Sequence, residues 1–282
     1  MHLRRHPLFQ FSWCVLNVLL VASAVLLVYG IGWEISTERY LKGFADSVVP
    51  LSTAPEQKVE AILTWMNQAP ARRNAVDVES LDIRDPQTTL NYQRLLQICG
   101  SATNAFVNLA SSSGLEARRL LLLNQNNRTL HVVAEVRLAH RWVVIDPAFR
   151  AVFRDAQGQP LTRSQLRDPH VFREATQKLK GYPPACTFDR TTQVRLERIP
   201  FLGGLLRKIL NALLFGWEEW NWSGITERTS MALTFAAALL MGVFLAGRFA
   251  LSWYGKRRLG VIRVRLREQL MRAAHALFSI PS

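Results

Sequence analysis

The sequence predicts an α+β domain in which a central helix packs on an antiparallel sheet, flanked by two membrane-spanning helices. Three observations predict it. Ala102, Ala105, Phe106, Leu109 and Ala110 recur at intervals of three and four, the buried stripe of an amphipathic helix. Residues 131–138 alternate between two faces, and a second strand over 141–146 follows after a very short link, as in a hairpin. Two long apolar runs, one near each end, are of the length that crosses ~30 Å of hydrocarbon.

The first run covers residues 11–31 and carries no charge. It is long for a signal peptide, and the small-residue stretch Ala22-Ser23-Ala24 lies in its middle rather than after it, so it reads as an uncleaved anchor. Arg4 and Arg5 place residues 1–10 in the cytoplasm, and Trp33 suits the interfacial belt at the other end. Residues 34–53 read as weakly helical. Thr53-Ala-Pro-Glu56 then reads as a capping box with Pro55 at an early helical position, opening a helix that buries Val59, Ile62, Leu63 and Met66. Residues 69–87 read as loop, and a helix over 88–98 leads into Cys99.

Cys99 falls one turn ahead of Ala102, near the start of the central helix, and Gly114 ends that helix. At a helix start backbone N–H groups are unpaired and the dipole is positive. Such a position lowers a thiol from its usual ~8.5 by a unit or more and offers N–H groups to a developing oxyanion. Residues 118–123 read as a central strand and 124–129 as a polar turn. For the hairpin, a turn centred between Leu138 and Ala139 sets His131 opposite Asp146, Val133 opposite Val144 and Glu135 opposite Trp142. An odd-length loop would move Asp146 to the other face. His140 falls at the far end as a turn residue. Residues 148–198, with Gly158, Pro160, Asp168-Pro169 and Pro183-Pro184, read as further strands and loops. His170 there is an alternative base that no regular element places.

From Leu202 a new pattern begins. Leu205, Leu206, Ile209, Leu210, Leu213, Leu214 and Trp217 share a face, with Arg207, Lys208 and Asn211 opposite, and Trp220 and Trp222 follow. Residues 199–229 read either as an interfacial helix with an aromatic belt or as a helix packed on the domain. Residues 231–253 form the second span, with Arg248 able to snorkel and Lys256, Arg257 and Arg258 marking a cytoplasmic end. Residues 254–282 read as a basic amphipathic tail on the anionic inner leaflet. Both termini inside place the domain at 34–198 outside, in the extracytoplasmic or periplasmic space.

Charge agrees with this layout. The formal net charge of +14 could point to nucleic acid, but residues 34–229 hold 25 Lys and Arg against 20 Asp and Glu. The two ends hold 10 against 1, so most of the excess flanks the apolar spans, and nucleic acid is not expected as a partner. Cys14 lies in an apolar span as a small hydrophobe. The plain reading of Cys99 is a buried thiol or a disulfide with Cys186. The sharper reading makes Cys99 a nucleophile, His131 its base and Asp146 the group that orients the base. No stretch has zinc-ligand spacing and no Gly-rich loop cradles phosphate, so the expected mechanism uses neither metal nor cofactor.

These residues carry a resemblance. Cys99-Gly100 at a helix start, Gly114-Leu115-Glu116-Ala117-Arg118 turning into a strand, His131 with Glu135 four residues on, Trp142, and Asp146-Pro147 follow in order. Over about residues 85–150 the chain resembles the transglutaminase-like superfamily, which shares its thiol chemistry with papain-like peptidases and peptide N-glycanases. Val133 departs from the family pattern, where an aromatic residue is common after the His. Gln93 and Gln97 are the upstream choices for an oxyanion-hole side chain. The resemblance implies acyl transfer at an amide or peptide carbonyl through Cys99, His131 and Asp146. Bacterial members with anchored domains tilt the expectation to a hydrolytic peptidase or amidase acting on an extracytoplasmic peptide or protein. The alternatives are transamidating crosslinking, and a non-catalytic scaffold working with envelope or polysaccharide assembly proteins.

Overall fold

The structure is a computed structural model that describes residues 7–50, 53–68, 84–91, 93–196 and 203–259. The chain divides into two units, residues 1–29 with 234–282, and residues 30–233. The expected cytoplasmic Arg4 and Arg5, much of the 69–87 loop and most of the basic tail lie outside the described residues.

The larger unit is built on a five-stranded antiparallel sheet of order β4-β3-β2-β1-β5. Its strands are β1 (Ala117–Leu123), β2 (Thr129–Leu138), β3 (Arg141–Asp146), β4 (Ala151–Val152) and β5 (Thr191–Thr192). One face is covered by α4 (Cys99–Ser112) and α2 (Pro55–Gln68), with the last turns of α1 (Pro7–Val48). Each predicted stripe is buried there: Ala102, Ala105, Phe106, Leu109 and Ala110 from α4, and Val59, Ile62, Leu63 and Met66 from α2. They meet Ala134, Val136, Val143 and Ile145 of the sheet. The opposite face carries Leu120, Leu122, Val133 and Val144 under Phe153, Leu161, Leu166, Cys186 and Phe188. A sheet apolar on both faces needs both layers, so residues 148–196 complete the domain rather than decorate it.

Four local readings change. Helix α2 begins at Pro55, and the Thr53 hydroxyl donates to the Pro50 carbonyl (2.9 Å), so Thr53 is not the cap of a capping box. The single helix expected over 88–98 is α3 (Pro86–Asn91) followed by a 3-10 turn (Gln93–Gln97). The Asp85 carboxylate accepts from Thr88 N and Oγ1, and so starts α3 earlier than expected. Asp168-Pro169, expected as loop, opens α5 (Pro169–Thr176): the Asp168 carboxylate accepts from His170 N, with proline in the first turn. Lastly, the β2–β3 register runs from Leu138↔Arg141 to Ala134↔Ile145, two residues from the expected one. Ala139 and His140 alone make the turn, both with positive φ (46° and 68°), as a type I′ turn requires.

In the smaller unit, α1 and α8 (Thr229–Arg258) each contain a stretch long and apolar enough to cross a membrane. Phe9 packs against Gly255, where an added Cβ would lie 2.7 Å from the ring, and Leu16 lies near Gly247. Small residues at such contacts let two membrane helices approach closely. The Arg248 guanidinium lies 5.1 Å from the Trp13 ring centre. The amphipathic segment forms α6 (Gly203–Leu213). Leu205, Ile209 and Leu213 are exposed on it, while Leu206 and Leu210 are half-buried. Trp217 follows it, buried.

Candidate active site

Cys99 is the first residue of α4, and Ile98 ahead of it has an extended backbone and no side-chain cap. Hydrogen bonding at the backbone of Gly100 and Val132 favours the thiolate. The sulfur also hydrogen-bonds the His131 ring. Burial alone would raise this thiol. The His131 hydrogen bond and charge, with the two backbone contacts, outweigh that and hold it below the ordinary range.

His131 lies near the start of β2, and its Nε2 meets Asp146 Oδ2 at 2.6 Å. With Nε2 engaged by the carboxylate, Nδ1 is the ring nitrogen left for the thiol. Burial would push the imidazole down. The Asp146 hydrogen bond, together with Cys99, pushes it up to about 9. Asp146, fully buried, ends β3, and its other oxygen accepts from Ala148 N (3.0 Å) and Phe149 N (3.2 Å). The carboxylate is therefore held by the turn that Pro147 begins, with one oxygen committed to backbone and one to the ring. Continuing the observed register sets Val133, not His131, opposite Asp146. His131 reaches the carboxylate along the diagonal of the same face, a distance long side chains bridge.

Three residues that sequence reasoning missed complete the surroundings. Arg150 donates to Leu96 O (2.9 Å) and to Pro147 O, tying the turn before Cys99 to the turn after Asp146. The rings of Phe149 and Tyr182 stand edge-on to His131 at 6.0 and 5.8 Å. Burial and the nearby Asp146 hold the Tyr182 phenol well above its ordinary value. No sequence spacing announces such contacts. Arg150 has φ of 56°, uncommon for a residue with a side chain, and only the fold requires it.

The other motif residues gather elsewhere. Arg118 donates through Nε to Glu135 Oε2 (2.8 Å), both nearly fully buried, and its guanidinium lies 4.2 Å from the Trp142 ring centre. Glu219 accepts from Arg118 and Arg163. The Ala117-Arg118, Glu135 and Trp142 pattern therefore locks β1, β2 and β3 together. His170 is exposed in the first turn of α5 and His140 occupies the β2–β3 turn. Cys186 is buried and unpaired in the second core, its thiol pushed up to about 11 chiefly by burial. The disulfide with Cys99 does not form. Gln97 is exposed in the 3-10 turn ahead of Cys99, and the side chain of Gln93 lies outside the described residues.

A cavity of about 320 Å³ lined by Arg190, Arg195, Arg207 and Trp217 shares no residue with this constellation. Among the described residues no group of His, Cys, Asp and Glu is arranged to hold a metal ion.

The family model of the transglutaminase-like superfamily matches residues 42–147, a span that contains Cys99, His131 and Asp146. No curated protein and no solved structure matches the chain. Residues 42–147 thus form a transglutaminase-like superfamily domain, carried by a chain with two helices able to span a membrane.

Proposed function

We propose that the chain is a membrane-anchored thiol enzyme that transfers acyl groups from an amide or peptide carbonyl through Cys99, His131 and Asp146. The observation that carries this is one imidazole shared by a helix-start thiol and a buried carboxylate, with the thiol lowered and the imidazole raised to about 9. A lowered thiol beside a raised imidazole favours the pair thiolate and imidazolium. The thiolate attacks the carbonyl carbon, a C–S bond forms, and the π pair moves to oxygen. As the tetrahedral species collapses, His131 gives its proton to the departing amine. Water then enters, His131 accepts its proton, and the C–S bond breaks to return the thiolate. Asp146 keeps the ring oriented and balances its charge.

The substrate is an extracytoplasmic peptide or protein, and the reaction is hydrolysis. Lys256, Arg257 and Arg258 at the end of α8 support a cytoplasmic C-terminus, which with a cytoplasmic N-terminus leaves the domain on the other side of the bilayer. Both readings are tested by a membrane-impermeant thiol-directed probe applied to intact cells. Labelling is lost in Cys99→Ala and kept in Cys186→Ala. Equal labelling of the two variants overturns the nucleophile. Labelling of Cys99 only after lysis overturns the topology. Incorporation of a primary amine in place of water marks a crosslinking enzyme, and a Cys99 thiol titrating at the free value of ~8.5 marks a scaffold.

A further inference from the structure

Four arginines that brace this domain each face a carboxylate: Arg118 pairs with Glu135, Arg119 with Glu227, Arg163 with Glu219 and Arg228 with Glu34. The cavity of about 320 Å³ beside β5 breaks that pattern. Arg167, Arg190, Arg195 and Arg207 line it, with Asp189 and Glu218. Arg207 meets Glu218 at 3.3 Å, a pair half-exposed on both sides. Among the described residues Arg167, Arg190 and Arg195 form no ion pair. Their anchors are neutral. Arg190, just before β5, donates through Nη1 to the Gln125 carbonyl (2.8 Å) and to Asn127 Oδ1 (3.4 Å). Its own carbonyl accepts from Leu123 N (2.9 Å), which fixes the backbone at that wall. Arg195 donates through Nη1 to the Thr129 hydroxyl oxygen (3.1 Å), and its enclosed Nε has no acceptor among the described residues. Arg167 ends the 3-10 turn Gln165–Arg167 and is exposed. Neutral acceptors hold a guanidinium in place without cancelling its charge, so three fixed cations share one concavity.

We propose that this cavity binds the phosphate group of a small phosphate ester, held by Arg167, Arg190 and Arg195. Like charges gathered on a concave wall raise the local potential, and an anion that enters lowers it. A planar guanidinium offers two parallel N–H donors, the geometry that matches phosphate oxygens. Four arginines against two carboxylates leave the lining at +2, which suits one phosphate group rather than a long polyanion. The volume exceeds that of a bare phosphate and leaves room for the organic group it is joined to. Thr129, which holds Arg195, opens the strand that carries His131 two residues on. No lining residue belongs to the Cys99 constellation, however, so the site does not depend on Cys99 being a nucleophile. A soluble ester and an anionic phospholipid headgroup both offer this chemistry.

The test uses the full-length chain in non-ionic detergent micelles. Equilibrium dialysis with radiolabelled glycerol phosphate is expected to show saturable binding, weakened about tenfold or more in Arg190→Gln and in Arg167→Gln. Arg167 is exposed and outside any ion pair, so its variant reads the site even if Arg190→Gln loosens the turn it holds. Arg137→Gln removes an exposed arginine that does not line the cavity, and its binding is expected to stay within about twofold of wild type. Native mass spectrometry after mixing with phosphatidylglycerol and phosphatidylcholine identifies the source. Phosphatidylglycerol retained by the wild type and lost from Arg167→Gln marks a lipid headgroup. Binding of glycerol phosphate without that retention marks a soluble ester. Absence of both, or binding that Arg167→Gln and Arg190→Gln leave unchanged, overturns the site. Succinate bound as tightly as glycerol phosphate overturns the phosphate assignment.

Discussion

His131 and Asp146 meet on a diagonal: their side chains close to 2.6 Å although β2 and β3 are registered so that Val133 is the residue opposite Asp146. The contact depends on the full reach of both side chains and on the backbone N–H groups of Ala148 and Phe149 that fix the carboxylate. Asp146→Asn keeps the shape and removes the charge that raises the imidazole. The imidazole then loses its proton at lower pH, and the thiolate loses its cation. Titration of Cys99 moves up towards ~8.5, and alkylation at pH 6.5 falls with it. Iodoacetamide kinetics across pH check it; an unchanged midpoint would mean the carboxylate does not govern the ring.

The pH dependence has a definite sign. His131 is raised, so its imidazolium stabilises the fold fully below its ordinary 6.5, and that contribution is lost as pH rises through about 9. Cys99 is lowered, so its thiolate contributes fully above its ordinary 9.0, and that contribution is lost as pH falls through the depressed value. Steps that need thiolate and imidazolium together are therefore expected in a window closing near pH 9. Labelling by a peptidyl ketone followed from pH 5 to 10 reads both limbs. Cys186, raised to about 11, stays unlabelled in the folded chain throughout most of that range.

Arg150 is a positioning residue, because it bridges the carbonyl of Leu96 to that of Pro147. Arg150→Ala frees the Cys99 turn from the Asp146 turn without touching either side chain. Labelling by the peptidyl ketone is expected to fall about tenfold or more, as misplacement of reacting groups does. The pH midpoint of Cys99 alkylation is expected to rise with it. A loss of thermal stability with an unchanged midpoint would assign Arg150 to folding alone.

Much of this was legible from spacing, and the gaps have physical causes. The stripes of α2 and α4 were readable because burial on one helix face leaves a period in the sequence. The pairing face of His131 and Asp146 was readable too, since any even-length turn keeps them on the same side. Their register was not, because Ala139 and His140 take the positive φ of a type I′ turn without the Asn-Gly that normally announces one. The same blindness hid the second face of α4. Asn104 and Asn108 lie outside the apolar stripe of the sequence, yet both are buried with partners more than 100 residues away.

The motif residues Arg118 and Glu135 predict stability rather than chemistry. Both are nearly fully buried, so removing one leaves an uncompensated charge in the sheet. Glu135→Ala is expected to destabilise the chain by about 3–5 kcal/mol. Thermal unfolding in detergent measures it, and Glu219→Ala, at a half-exposed partner of the same guanidinium, is expected to cost less.

The deepest dependence runs through Glu227, at the end of α7 (Ser223–Glu227). Its buried carboxylate accepts from Arg119 Nη1 at 2.7 Å and from Asn104 Nδ2 at 3.1 Å, and its carbonyl accepts from Asn104 Nδ2 at 2.6 Å. Asn104 also accepts from the Thr89 hydroxyl (2.8 Å). The next residue, Arg228, donates to Asn108 Oδ1 and to Glu34. The helix that begins with Cys99 is thus braced by residues well past the family match at 147. Glu227→Ala leaves Arg119 short of its carboxylate and is expected to cost about 3–5 kcal/mol, while Glu227→Gln keeps a hydrogen-bonding group and costs less. Truncation after residue 198 removes the whole brace. Protease resistance of the domain is the measurement: it is expected to be lost in the truncation and in Glu227→Ala, and retained in Glu218→Ala, whose side chain is exposed.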